Sequence, residues 1–222
     1  MCNLYRMTKG KDEVASWFDA VDRMSGANFG SEVYPGYLGA VVAEGAVRSM
    51  NWGFPLVMKG KRGQPLKPKP VNNARTDKLD SFFWRESFAE RRCLIPMTGW
   101  AEAQGAKGAM TRTWMSLPDV PLFAAAGVWR ISDEWGACFS MVMTDSSGSQ
   151  SAEIHARMPV ILAPGDYEAW VAGDPNNAIN LCQAFTGQLN VDRTDEGWTR
   201  TVKVDGGKEQ GQDPDAAQPS LF

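Results

Sequence analysis

Short, largely apolar stretches separated by turn-forming residues run along the middle of the chain, and this pattern predicts a series of short β-strands. Val42 and Val47 lie on either side of the turn-forming pair Glu44-Gly45, which predicts a hairpin that ends near Trp52. A second hairpin is predicted around the glycine-containing segment 105–108. Further strands are predicted at 92–95, 100–104, 111–116, 122–129, 138–144, 160–162 and 199–204.

Helical spacing of apolar residues occurs on the flanks of these strands. It predicts an amphipathic helix over residues 11–24, through Val14, Trp17, Phe18, Val21 and Met24. Leu79, Phe82 and Phe83 mark a second helix, and segments 166–171 and 177–185 also have helical patterns. The chain is therefore predicted to have an α+β fold, a largely antiparallel sheet system with peripheral helices.

Two segments follow neither pattern. Residues 59–70 are basic and rich in glycine and proline, which predicts a loop. From Asp205 onward, glycine, glutamine, aspartate, proline and alanine predominate, and such a segment cannot bury enough apolar surface to fold. We therefore expect a single folded domain over residues 2–204 and a disordered tail over residues 205–222.

The charge balance and the cysteines restrict the class of protein. The 222-residue chain has a formal net charge of -3, so any contact with nucleic acid is expected to be local. Its four cysteines, at positions 2, 93, 138 and 182, have neither the paired spacing of a zinc site nor the setting of a secreted disulfide framework. No segment has the roughly 20 consecutive apolar residues of a membrane-spanning helix. The sequence thus indicates a reduced, cytoplasmic protein without a metal site.

Cys2 is the first residue with distinctive chemistry. Removal of Met1, which is general when the next residue is small, would place a thiol and an α-amine on the same residue. Both groups titrate near neutral pH, so both are partly nucleophilic. The amine can form a Schiff base with an aldehyde, such as the ring-opened sugar of an abasic site, and the thiol can then close a thiazolidine ring. By itself, Cys2 is also consistent with a small residue that only follows the start codon.

Three further segments contain polar side chains suited to catalysis or binding. His155, the single histidine, precedes an apolar strand and is a candidate proton donor and acceptor. Asn73, Arg75 and Asp77 alternate on an extended segment, from which Asn and Arg can reach a sugar or a phosphate. Glu102 lies in an otherwise apolar stretch, where burial would raise the pKa of its carboxyl and suit it to proton transfer. Each of these residues is also compatible with a structural or surface role.

Taken in order, these motifs resemble those of one family. The chain is similar to the SRAP domain, the SOS response-associated peptidase family, in its initial Met-Cys, its Trp52-Gly53 pair, its Asn-Ala-Arg segment, its Arg-Cys-Leu-Ile-Pro…Gly-Trp…Glu strand and its Ile-His-x-Arg-Met-Pro-Val-Ile-Leu segment. The resemblance covers residues 2–204 and implies a barrel-like β core. It also implies a protein of the DNA damage (SOS) response that forms a covalent thiazolidine crosslink with abasic sites in single-stranded DNA.

The resemblance implies catalytic roles for four residues. Cys2 would form the crosslink after autocatalytic removal of Met1, a hydrolase activity on the chain itself. Asn73 would position the amine and the opened sugar, and Glu102 would handle the amine proton. His155 would assist sugar opening and the proton transfers of ring closure and its lyase-like reversal. No cofactor is implied, and we expect a monomer that acts on bacterial nucleoid DNA.

Residues expected to contact DNA follow from the same resemblance. Arg75 and Arg157 would bind backbone phosphates. Pro35, Trp52 and Gly53 would form the wall that separates a duplex junction or stacks on bases.

The chain departs from the family pattern at two of these places. Many members have an arginine two positions after the cysteine, whereas this chain has Leu4 there, and Arg6 is the candidate substitute. Ala103 replaces an aromatic residue that often follows the glutamate. The basic loop 59–70 is a further candidate source of positive charge toward DNA.

The tail contains a separate short motif. Gln218, Leu221 and Phe222 resemble the peptide with which bacterial proteins bind the replicative sliding clamp. Such a tether would keep the domain near replicating single strands.

Two other classes of function are open at this point. A cysteine peptidase acting in trans would use Cys2 and His155, with Asn73 as the orienting group. A non-catalytic module would bind intact single-stranded DNA or the clamp, and it would tolerate the loss of Cys2.

Overall fold

β-Strands are the main regular elements of the structure, a computed structural model that describes residues 2–24, 31–198, 200–202 and 210–212. The strands are β1 (Leu4–Arg6), β2 (Val21–Asp22), β3 (Glu32–Val33), β4 (Leu38–Ala43), β5 (Ala46–Trp52), β6 (Phe54–Leu56), β7 (Lys69–Val71), β8 (Asn73–Arg75), β9 (Arg92–Met97), β10 (Gly99–Gln104), β11 (Thr111–Ser116), β12 (Phe123–Ser132), β13 (Gly136–Asp145), β14 (Arg157–Pro159), β15 (Ile161–Leu162), β16 (Asn190–Gly197), β17 (Arg200–Val202) and β18 (Gln210–Gln212). The helices are α1 (Lys11–Trp17), α2 (Arg85–Glu90), α3 (Tyr167–Val171) and α4 (Pro175–Ala178). Short 3₁₀ turns lie at Thr76–Lys78, Gln150–Glu153, Pro164–Asp166 and Ile179–Leu181.

Five strands close into a barrel. In the order β13-β12-β9-β4-β5 each strand pairs antiparallel with the next. β5 then pairs in parallel with β13, through Asn51 opposite Cys138 and Trp52 opposite Phe139, which completes the ring. The predicted α+β fold with a largely antiparallel, barrel-like core and peripheral helices is confirmed.

A second sheet carries the beginning of the chain. Its order is β16-β11-β10-β1-β3, so β1 lies between β10 and β3 and is antiparallel to both. Two short strands, β8 and β14, pair with the last part of β13, where Asn73 lies opposite Met141 and Arg157 opposite Asp145. The second sheet and the end of β13 together bring the predicted site segments to one part of the molecule.

The first predicted helix is shorter than the sequence pattern indicated. It ends at Trp17 rather than continuing to Met24. Asp19 has a φ of 47°, in the left-handed region that an α-helix cannot pass through. Val21 and Asp22 then pair in parallel with β5 instead of extending the helix.

The second predicted helix begins later than its apolar residues suggested. Leu79 is buried beyond a 3₁₀ turn, whereas Phe82 is 88% exposed, and α2 begins only at Arg85. The amides of Trp84 and Arg85 both donate to the carbonyl oxygen of Ser81, which forms the turn that precedes the helix.

The last part of the chain differs most from the sequence expectation. No strand was predicted at Asn190–Gly197, where β16 pairs with β11 at the edge of the second sheet. Within the predicted strand 199–204, Arg200–Val202 forms β17 and pairs with β18, although disorder was expected from Asp205 onward. Residues 203–209 and 213–222, including the clamp-like motif, lie outside the described residues.

Candidate active site

Cys2 lies buried at the start of β1. Its side chain is fully buried, and the Sγ–H donates to the carbonyl oxygen of Leu4 at 3.5 Å. Burial raises the pKa of the Cys2 thiol far above its ordinary range, and the nearby Glu102 carboxylate raises it further. In this state the thiol is therefore protonated at neutral pH.

Two consecutive asparagines hold the main chain of Cys2. Asn73 Nδ2 donates to the Cys2 carbonyl oxygen at 2.8 Å, and Asn72 Nδ2 donates to the same oxygen at 3.1 Å. Asn72 Nδ2 also donates to Asn3 Oδ1 at 2.9 Å. The sequence predicted Asn73 alone, because adjacent residues of an extended segment normally point to opposite faces and nothing indicated that Asn72 also reaches Cys2. Asn73 Oδ1 is buried and has no hydrogen-bond partner among the described residues.

Glu102 lies on β10, the strand that pairs with β1, and β1 begins two residues after Cys2. Ala101, its neighbour, is opposite Leu4 in the sheet, and Glu102 itself is opposite Thr113 of β11. The glutamate is only 2% exposed. The structure thus brings the carboxylate and the thiol together, and the sequence-based expectation of a buried Glu102 is confirmed.

His155 lies in the loop that enters β14. Its Nδ1 accepts a hydrogen bond from the backbone amide of Arg157 at 3.0 Å. Its own backbone amide donates to the Ser151 carbonyl at 3.0 Å, and its carbonyl accepts from the Ser146 hydroxyl at 2.6 Å. These bonds fix both the backbone and the half-buried ring of His155.

The two predicted phosphate contacts lie on strands that flank the end of β13. Arg75 Nε donates to Asp77 Oδ1 at 2.8 Å, and Arg75 Nη2 pairs with Asp77 Oδ2. This hydrogen bond lowers the pKa of Asp77, and the charge of Arg157 also contributes to lowering it. Arg75, Asp77 and Arg157 therefore form one electrostatic cluster.

Trp52 and Gly53 have structural positions. The Trp52 ring is completely buried, with its centroid 5.0 Å from that of Tyr5, and its Nε1 donates to the Asn72 carbonyl at 3.0 Å. This corrects the expectation that Trp52 stacks on bases, because neither ring face is exposed. Gly53 has a φ of 119°, and a Cβ there would lie 2.4 Å from Pro70 Cβ. Trp52 therefore supports Asn72, which binds the Cys2 carbonyl, and Gly53 permits the close approach of Pro70.

Pro35 lies in a turn at the surface. It is half-buried, and two neighbours along the chain, Tyr37 and Leu38, are 39% and 45% exposed. The Gly36 amide donates to the Trp52 carbonyl at 2.6 Å, which attaches the turn to β5. Of the three residues expected to form a wall, Pro35 is the one at the surface.

Arg6 is engaged at the other end of β1 from Cys2. Its guanidinium carbon lies 3.4 Å from the centroid of the Trp114 ring, and Nη2 is 4.0 Å from the Glu32 carboxylate. Glu32 also pairs with Arg112. The structure therefore places Arg6 in a charge network of the second sheet, which argues against Arg6 as a substitute for the missing arginine at Leu4.

The described residues contain no cluster of three or more histidine, cysteine or acidic side chains that could hold a metal ion. All four cysteines are buried free thiols. In the same part of the chain, no helix is long and apolar enough to span a membrane.

The fold and the site together define a class of protein: an α+β domain with a closed β-barrel, in which a cysteine at position 2 is held beside buried amides and a buried carboxylate. The chain matches the model of the SOS response associated peptidase (SRAP) family over residues 1–196. It belongs to this family.

Known relatives agree with this assignment. The chain is 26% identical over 132 residues to the abasic site processing protein YMR114C of Saccharomyces cerevisiae, a match that covers 58% of this chain and 36% of that protein. Similar solved structures include a Bordetella bronchiseptica protein with a TM-score of 0.72 and 20% identity, covering 87% of this chain and 99% of that one. A Bacteroides thetaiotaomicron protein has a TM-score of 0.71 and 20% identity, covering 86% and 91%. A phage-related protein of B. bronchiseptica has a TM-score of 0.62 and 16% identity, covering 87% and 94%. These structures share the fold.

Proposed function

We propose that this protein captures abasic sites in single-stranded DNA through a covalent bond to Cys2, as part of the response to DNA damage. The observation that carries the proposal is the environment of Cys2, whose carbonyl is held by Asn73 and whose thiol lies near the Glu102 carboxylate. An N-terminal cysteine combines an amine with a thiol, and aldehydes react with that pair. Membership of the SRAP family and the name of the yeast relative support the same lesion as substrate.

The proposed reaction begins when Met1 has been removed and the α-amine is free. The amine attacks the aldehyde carbon of the opened sugar and loses water to form an imine. The Cys2 sulfur then adds to the imine carbon, and the thiol proton passes to the nitrogen as the thiazolidine ring closes. One C–N bond and one C–S bond form and one water is released, so the reaction needs neither an oxidant nor a reductant.

The side chains around Cys2 suit this order of steps. In the chain that still carries Met1, burial raises the pKa of the Cys2 thiol, and a protonated thiol can supply the proton that the nitrogen accepts at ring closure. We assign Glu102 as the acceptor of the amine proton and His155 as the group that opens the sugar and transfers protons during ring closure and reversal. Asn73, which binds the Cys2 carbonyl at 2.8 Å, would position the amine and the opened sugar.

The same residues are proposed to release Met1. Hydrolysis of the Met1–Cys2 amide consumes one water and leaves the α-amine on Cys2. This self-processing accounts for the word peptidase in the family name without a peptide substrate in trans. A general peptidase is less favoured, because a free α-amine beside the thiol suits the capture of an aldehyde better than the cleavage of a peptide.

DNA is proposed to lie along the end of β13. Arg75 and Arg157 would bind phosphates, with Arg75 exchanging the Asp77 carboxylate for a phosphate. The surface turn at Pro35 would contact bases beside the lesion. Gln218, Leu221 and Phe222 of the tail would bind the sliding clamp and keep the domain near replicating DNA.

Incubation with a single-stranded oligonucleotide that contains one abasic site tests the proposal. We expect an adduct that survives denaturing electrophoresis and reverses on heating. Cys2→Ala, which keeps a small residue after Met1, should abolish the adduct, whereas Cys182→Ala is the matched control and should leave it unchanged. An adduct of equal yield with Cys2→Ala would refute covalent capture, and equal binding of intact DNA by both chains would favour a non-catalytic module. The mass of the intact protein reports the loss of Met1.

A further inference from the structure

We propose that Asn3 and Asn72 form a positioning pair that fixes the main chain of Cys2 for crosslinking. This inference rests on the proposed function and adds two residues to it. Neither residue touches the substrate; both act through Cys2.

The pair is defined by its hydrogen bonds. The two N–H groups of the Asn72 amide have two acceptors, the Cys2 carbonyl oxygen at 3.1 Å and Asn3 Oδ1 at 2.9 Å. Asn73 Nδ2 is 2.8 Å from the first acceptor and 3.5 Å from the second. The Cys2 carbonyl thus accepts two hydrogen bonds, and the Asn3 side chain joins the same network.

The network is buried and attached to the barrel. Asn3 is 1% exposed and Asn72 is fully buried. The Asn72 carbonyl accepts from the Trp52 indole at 3.0 Å and from the Met141 amide at 2.9 Å. Strands β5 and β13 therefore determine where the Asn72 side chain can place its donors.

The network matters because thiazolidine formation requires two groups of one residue to reach one carbon. The Cys2 carbonyl is held by the amides, and its thiol is held by the Leu4 carbonyl. The remaining freedom of residue 2 is small, so the amine and the sulfur meet the aldehyde in a defined orientation. A misplacement of the reacting groups by about 1 Å can lower the reaction rate on the order of 100-fold.

Single-turnover crosslinking tests the pair. Each chain is prepared with Cys2 already first, by cleavage of an N-terminal fusion, so that changes in Met1 removal do not affect the comparison. We expect Asn72→Ala to lower the rate at saturating DNA by about 10- to 100-fold. The half-saturating DNA concentration should stay within about twofold, since no phosphate contact is lost.

Two further variants separate hydrogen bonding from shape and from folding. Asn72→Asp has the same shape but a carboxylate that cannot donate, so it should be as slow as Asn72→Ala. Asn3→Ala should slow the reaction less than Asn72→Ala does. When it is combined with Asn72→Ala, it should have no additional effect. Asn51→Ala, which removes the hydrogen bond that Asn51 Nδ2 donates to the Trp135 carbonyl elsewhere in the barrel, is the matched control and should keep the rate.

Thermal unfolding midpoints identify variants that are slow only because they are unfolded. A normal rate for Asn72→Asp, or a change in half-saturation without a change in rate, would overturn the positioning role. If the Asn72 variants do not fold, the Asn3→Ala rate decides the question, and an unchanged rate there refutes the pair. A chain without substitutions that forms no adduct would instead refute the proposed function, and the pair with it.

Discussion

At the scale of single residues, the Cys2 thiol is influenced by a neighbouring carboxylate. Burial raises the pKa of this thiol, and the Glu102 charge raises it further because a nearby negative charge disfavours the thiolate. Glu102→Gln removes the charge and keeps the shape, so we expect the thiol pKa to fall and the thiolate to form at lower pH. The rate at which the thiol is alkylated follows the thiolate fraction, and it is measured against pH below about 8.5, where the chain stays folded, and corrected with the same titration of Cys2→Ala.

A surface glutamate provides the control for this titration. Glu90 lies at the end of α2 with an exposed carboxylate near Arg91, and Glu90→Gln should leave the Cys2 titration unchanged. A thiol pKa that stays the same or rises in Glu102→Gln would show that the carboxylate does not act on Cys2.

The residues of the site differ in how far the sequence could predict them. Cys2, Asn73 and Glu102 could be found because residue type and motif order indicate their chemistry. Asn72 and Asn3 could not be paired from the sequence, because their contact depends on the register of β8 against β13. Trp52 was expected to contact DNA because of the family resemblance, and a shared motif does not show whether an aromatic ring lies in the core or at the surface.

At the scale of elements, one arginine caps the C-terminal ends of two helices. Arg92 is 4% exposed, and its guanidinium donates to the carbonyls of Phe88 and Ala89 in α2. It also donates to the carbonyls of Trp170 and Gly173 at the end of α3. These carbonyls belong to helix ends, where oxygens lack partners within the helix.

Arg92→Lys is expected to lower the free energy of unfolding by about 2–4 kcal/mol, because an ammonium cannot reach all four oxygens and leaves buried acceptors unpaired. Denaturant titration measures this loss. Arg91→Lys is the matched control, since Arg91 pairs with Glu86 and Glu90 at the surface, and it should change stability by less than about 0.5 kcal/mol. Equal effects at the two positions would show that Arg92 does not hold the helices.

Elements in the centre of the fold were predicted better than those at its edges. β11 was predicted over its whole length, and β9, β10, β12 and β13 to within a few residues, because these strands are buried over four or more consecutive residues and show as short apolar stretches. β16 has only exposed or half-buried residues, so its sequence has no such stretch. The end of α1 depends on the left-handed backbone conformation of Asp19, which the spacing of apolar residues cannot reveal.

At the scale of the whole molecule, four buried thiols make stability depend on pH. Burial raises the pKa of Cys93, and it raises that of Cys182 to about 12. The unfolded chain loses these protons near pH 8.5, about the ordinary value for a thiol, whereas the folded chain keeps them. Stability is therefore complete below about pH 8.5 and declines at higher pH, by about 1.4 kcal/mol per pH unit for each fully buried thiol.

Cys93→Ala is expected to lower stability at neutral pH through lost packing, and to flatten the alkaline decline by about 1.4 kcal/mol per pH unit. Urea titrations at a series of pH values measure both effects. Val160→Ala removes buried methyl groups without a titrating group, so its curve should run parallel to that of the unaltered chain. Parallel curves for Cys93→Ala as well would contradict the role of the thiol.

The place of β1 has a consequence for the timing of synthesis. β1 lies between β3 and β10, so the first residues of the chain fit into a sheet whose other half is made much later. At about 5–20 residues per second, Ala101 is synthesised about 5–20 s after Leu4. During that interval Cys2 has no Glu102 beside it. If Met1 is released in the way proposed above, with Glu102 taking part, release must wait until the ribosome has passed β10, and a free Cys2 terminus would form only after β10 has joined the sheet.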